Sequence, residues 1–113
     1  MEYVLLIHGT DAYASLTPAE GEKLYAEHGA FIAALKEAGV ALPYSAELDG
    51  PPTARLVRHV GDQQLVTDGP FSEAKEQLGG FYVVDVPTMD EAVRWAKRIP
   101  TIPDDTIEVR PAK

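Results

Sequence analysis

The stretch Glu2–His8 constrains the fold of this chain more than any other, because it is apolar on both sides. Successive side chains of an extended strand point to opposite faces, which sets Tyr3, Leu5 and Ile7 on one face and Val4, Leu6 and His8 on the other. Such a strand belongs in the middle of a sheet, or in one covered twice. Phe81–Val86, stopped by Pro87, repeats the pattern and reads as a second interior strand. A third run, Thr106–Arg110, closes the chain as a strand with Ile107 and Val109 inward.

Two helices are expected to supply the cover. Thr17-Pro18-Ala19-Glu20 combines a capping residue, a proline suited to the first turn and a glutamate three residues after the cap. Gly39 ends this helix. Leu24, His28, Phe31, Leu35 and Ala38 fall on one of its faces, which places His28 on the buried side. Thr88-Met89-Asp90-Glu91 repeats the capping logic for a second helix, with Met89, Ala92, Val93, Ala96 and Ile99 as its apolar face and Pro100 as its stop.

Between these elements, Val40–Thr53 carries three prolines and Gly50, and reads as a crossing loop with a short strand near Val40–Pro43. Ala54–Val60 and Gln63–Thr67 form a hairpin about Gly61-Asp62, although that dipeptide is in the reverse of the order a tight turn favours. After Asp68-Gly69-Pro70-Phe71, Ser72 opens a short helical stretch that runs to about Leu78 and ends at Gly79-Gly80. Both helices are expected on one face of a largely antiparallel sheet, an α+β, ferredoxin-like arrangement. The opposite face, also apolar, is then covered by a second copy of the chain, so a homodimer is expected.

A length of 113 residues suits one domain, 1–113. Cysteine is absent, which excludes disulfides, thiolate nucleophiles, iron–sulfur ligation and cysteine-based zinc sites. Ten basic against 18 acidic residues give a net charge of −8, which argues against nucleic acid and anionic membrane as partners and for a small molecule or another protein. The first strand begins almost at Met1 with no basic leader, and no apolar run approaches the roughly 18 residues of a membrane span. A cytoplasmic location is expected.

Candidate site residues gather near the Asp68-Gly69-Pro70-Phe71 turn. Asp68 stands beside Gly69, where backbone can approach closely, so its carboxylate can take a proton from a ligand or orient a histidine; it can equally accept backbone N–H bonds and fix the corner. His8 at the end of the first strand is a candidate base, since histidine alone titrates near neutrality without perturbation, and His28 is a second. Lys75 and Arg55 are candidates for holding an acidic ligand; the alternative for each is a solvated surface or a guarded strand edge. Neither GxGxxG nor GxxxxGK[ST] occurs, HExxH is absent, and no cofactor or metal is expected.

Together the opening YVLLIHG, the run DGPFSEAKEQLGGFYVVDV, the segment DEAVRWAKRIP and the closing IEVRP resemble the DGPF-motif branch of the YCII-related proteins over nearly the whole chain. The resemblance implies a ferredoxin-like unit pairing through its sheet into a dimeric α/β barrel. It also implies a histidine–aspartate pair, to which Asp68 supplies the aspartate. A cofactor-free enzyme acting on a small acidic or aromatic metabolite through Asp68 and a histidine is the leading expectation. A non-catalytic ligand-binding or regulatory module, and a purely structural dimer organised by the DGPF turn, are its rivals.

Overall fold

In the computed structural model, residues 1–71 and 75–113 are described. Strand β1 (Glu2–Gly9) leads through a short 3-10 turn at Asp11–Ser15 into helix α1 (Pro18–Glu37) and strand β2 (Ala41–Glu47). The hairpin β3 (Arg55–Val60) and β4 (Gln63–Asp68) follows, then β5 (Gln77–Asp85), α2 (Met89–Ala96) and β6 (Thr106–Pro111). Both helices begin as their capping residues dictate. Thr17 accepts from the Glu20 N–H at 3.1 Å while Glu20 Oε1 accepts from the Thr17 N–H at 3.0 Å, and Thr88 accepts from the Glu91 N–H at 3.2 Å. Gly39, at φ 72°, takes the left-handed position just beyond the α1 cap.

Four strands form one sheet in the order β2-β5-β1-β6, with every neighbouring pair antiparallel. The two apolar strands read from the sequence, β1 and β5, occupy its centre. Registers Leu5↔Tyr82, Tyr3↔Val84 and Leu5↔Val109 put these residues on one face, and α1 and α2 cover it. The core there consists of Tyr3, Leu5, Ile7, Tyr82, Val84 and Val86 from the strand side against Phe31, Leu35, Ala92, Ala96 and Ile99, with Ile107 and Val109 packed on its margin. Phe31 joins three elements, its ring lying 5.0 Å from that of Tyr82 and 6.1 Å from that of Trp95.

The expected ferredoxin-like dimeric α/β barrel is corrected to a mixed α+β fold with two separate sheets, neither of which closes. The four-stranded sheet ends in β2 on one side and β6 on the other, and β3 and β4 pair with each other to form the second sheet. Closure requires the two edges to meet or further strands to bridge them, and the remaining strands are spent on the hairpin. That hairpin stands out from the body, in keeping with a radius of gyration of 15.9 Å against about 13 Å for a compact chain of this length.

Two local expectations also change. The loop expected after α1 is half strand: β2 runs through Pro43 to Glu47, with a break in register between Ala41 and Tyr44. A proline is tolerated because β2 is an edge strand. The helical stretch expected from Ser72 to Leu78 falls partly on residues 72–74, outside the described residues. From Gln77 onward the chain is instead strand, paired as Gly9↔Gln77 and His8↔Leu78. Gly80 serves there as a close-contact residue, since a Cβ on it would stand 2.9 Å from the Ala46 carbonyl oxygen. The Gly61-Asp62 order proves suitable for a two-residue turn between Val60 and Gln63: Gly61 takes φ 59° and Asp62 stays outside the positive-φ region, the glycine-first pattern of a type II′ hairpin.

Candidate functional site

Alternation along β1 turns His8 away from the helices, on the same face as Leu6 and Val4. The register Leu6↔Glu108 brings Glu108 of β6 to that face beside it. There His8 Nε2 lies 2.9 Å from Glu108 Oε1, and the other carboxylate oxygen accepts from Arg110 Nε at 2.7 Å. The two hydrogen bonds, that from Arg110 first and that from His8 second, hold the Glu108 carboxyl below its ordinary range. An ionised carboxylate only accepts, so Nε2 carries the proton; in a neutral ring Nδ1 is then left as an acceptor.

His8 lines a cleft of about 620 Å³. Its other walls are the segment after β2 (Leu48, Asp49, Gly50, Pro51, Thr53 and Ala54), Phe71 of the DGPF turn, and Glu76, Gln77 and Leu78 at the start of β5. The turn is fastened to this wall by the Gly69 N–H, which donates to the Ala54 carbonyl at 2.8 Å. Glycine is needed at 69 because a Cβ there would lie 2.6 Å from the Ala54 Cβ and 3.2 Å from the Pro51 carbonyl oxygen.

Asp68 stands at the base of the hairpin, opposite Arg55 in register, with its Oδ1 3.2 Å from Arg55 Nη1. Both side chains are largely exposed, at 81% and 66%, and neither lines the cleft. Lys75 is exposed and also outside the lining. Gly69 acts on the cleft from behind, through Ala54.

His28 lies on the other side of the sheet. Its Nδ1 is 2.6 Å from the Tyr82 hydroxyl and the two rings stack at 5.9 Å. Partial burial pushes its pKa below the ordinary 6.5, against the opposing pull of Glu47, Glu27 and Asp105; burial, helped by Glu47, raises Tyr82. The sheet therefore separates the two candidate histidines. Near His28, Tyr13 donates to Asp105 Oδ2, which also accepts from the Ile102 N–H at 3.0 Å. Burial first, and this bond second, raise the Tyr13 hydroxyl.

Glu108, Tyr13 and Asp105 escaped the sequence reading. The polar alternation Thr106, Glu108, Arg110 in the closing strand was the available signal for Glu108; its partner lies 100 residues away and emerges only from register. For Tyr13 and Asp105 the sequence holds no comparable signal. Among the described residues, no group of three or more histidine, aspartate or glutamate side chains is arranged to hold a metal ion, and no helix is long and apolar enough to cross a membrane.

Two outcomes follow. Asp68→Ala, which removes an exposed ion pair, is expected to lower stability by less than about 1 kcal/mol, whereas Gly69→Ala, which forces the turn off Ala54, costs about 1 to 3 kcal/mol; urea denaturation of the two variants gives the order, and the reverse order refutes this account of the turn. For His28 the folded-state pKa lies below the unfolded one, so between the two the unfolded chain binds more protons and stability declines as pH falls. The melting temperature of the wild type is expected to drop more than that of His28→Gln as pH is lowered from about 7.5 to about 5. Parallel curves would show that His28 contributes nothing to acid sensitivity.

The profile of the YCII-related domain matches residues 1–113. An uncharacterized protein of Rhizobium meliloti (strain 1021) is 34% identical over 114 residues, covering 98% of this chain and 91% of that protein. On a match that spans the chain from end to end, the protein belongs to the YCII-related family.

Proposed function

We propose that this protein, as a DGPF-type member of its family, binds a small metabolite in the cleft beside His8 and transfers a proton with that histidine, without a cofactor. The observation that carries the reading is the His8–Glu108 pair, 2.9 Å apart, bordering a cleft whose walls are mainly apolar. Glu108 accepts from Nε2 and so fixes the tautomer, leaving Nδ1 to take a proton, the logic by which a carboxylate orients a catalytic histidine. Asp68, paired with Arg55, takes the supporting role of closing the hairpin base next to the DGPF corner. The same geometry serves a sensor that binds without turnover; a proton-transfer step distinguishes the enzyme.

The test is a thermal-shift screen of wild type and His8→Gln against small amines, carboxylates and aromatic metabolites, because a ligand that binds the native state raises its apparent stability by mass action. A ligand that stabilises the wild type and loses that effect in His8→Gln supports the assignment. Equal stabilisation of both proteins removes His8 from the site. For any ligand that is turned over, a rate independent of pH between about 5 and 8 excludes histidine as the base.

A homodimer accompanies this reading, supported by the face of the sheet that the helices leave open. Val4, Leu6, Phe81 and Val83 lie there half-exposed, and Tyr44, 61% exposed, packs its ring 5.8 Å from that of Phe81. Charges of both signs border the patch, with Glu108 and Arg110 on β6 and Glu2 on β1, so the face is complementary to itself across a two-fold axis. Sedimentation equilibrium is expected to give twice the chain mass for wild type and the single mass for Leu6→Glu; a monomeric wild type at micromolar concentration sinks the dimer.

A further inference from the structure

We infer that the ligand of this cleft is an amine, a small cation with an apolar or aromatic body, and not a carboxylate. This rests on the reading of the cleft as the ligand site and goes beyond it in naming the chemical class. Among the described residues, the charged groups in the lining apart from His8 are Asp49 and Glu76, and no lysine or arginine contributes to it. The cations nearest in sequence or space are committed or lie outside: Arg55 to Asp68, Arg110 to Glu108, and Lys75 beyond the lining.

Among the described residues, neither acidic group has a cationic partner. Asp49 Oδ1 accepts from the Gly50 N–H at 2.7 Å and Glu76 Oε1 from the Thr106 hydroxyl at 3.0 Å. These donors are uncharged, and each carboxylate has lone pairs left for a further donor. His8 adds to the same preference: with its Nε2–H donating to Glu108, Nδ1 accepts an N–H, which an ammonium offers and a carboxylate lacks. Leu48, Phe71 and Leu78 are 41%, 77% and 38% exposed and provide apolar surface for the body of the ligand. An anion approaching this cleft meets like charge in the lining and a chain of net charge −8, whereas a cation is drawn in.

Isothermal titration of the full chain with phenethylamine and with 3-phenylpropionate, which share a body and differ in the sign of their head group, separates the alternatives. Saturable binding of the amine is expected, weakened about fivefold in Glu76→Gln or Asp49→Asn and weakened further by added salt. Both substituted residues are exposed, so the variants are expected to fold, and unchanged melting curves verify it. Binding of the carboxylate with none of the amine overturns this inference while leaving the cleft as a ligand site. Amine binding unaffected by either substitution also overturns it, by placing the amine elsewhere. Binding of neither probe overturns the amine assignment, and the fate of the cleft itself is then decided by the His8→Gln comparison across the wider panel.

Discussion

The Phe31 side chain is the contact on which the rest of the structure depends. It is 4% exposed and wedges α1 between Tyr82 of the central strand β5 and Trp95 of α2, so that both helices are drawn to one face of one sheet. Among the described residues, no helix is then left to cover the other face. The fully buried Leu5, Leu35 and Val84 complete this one-sided core, and burial of such side chains supplies about 1.5 to 3 kcal/mol each. Every feature of functional interest lies where that arrangement stops: on the open face, at its polar margin, and in the segments that fold back over the strand ends.

The His8–Glu108–Arg110 chain exists because β1 and β6 are antiparallel neighbours in one particular register. Shifting either strand by a single residue would turn one partner to the helix side. The cleft is built by different means. Gly69 permits the DGPF turn to touch the segment before β3, and Gly80 lets β5 run close beside β2 at Ala46. A rigid sheet carrying the polar pair and irregular segments forming the walls is a common division of labour in binding sites.

How much of this was legible in the sequence depends on the range of the determining interaction. Thr17 and Thr88 announce their helices through contacts three residues away, and the alternation in β1 and β5 reveals two interior strands without reference to any partner. β2 escaped as a full strand because Pro43 argues against a sheet, and only its position at the edge excuses it. Gly79-Gly80 looked like a helix stop because a glycine pair has the same local signature wherever backbone must pass closely. Among candidate site residues, His8 and His28 were both visible, but that the sheet keeps them apart required the pairing of Tyr82 with Leu5. Glu108 was invisible as a partner for His8 for the same reason.

The sequence by itself determined both helices, the α+β class, the doubly apolar central strands and the placement of both helices over a single face, because capping, side-chain period and hydrophobic pattern act within a few residues. Tertiary structure alone decided that the four-stranded sheet stays open, that the hairpin forms a separate sheet, that Asp68 pairs with Arg55 outside the cleft, and that Glu108 holds His8. These depend on strand order and register, which are set by the packing of distant segments against one another and leave no mark on any short stretch of chain.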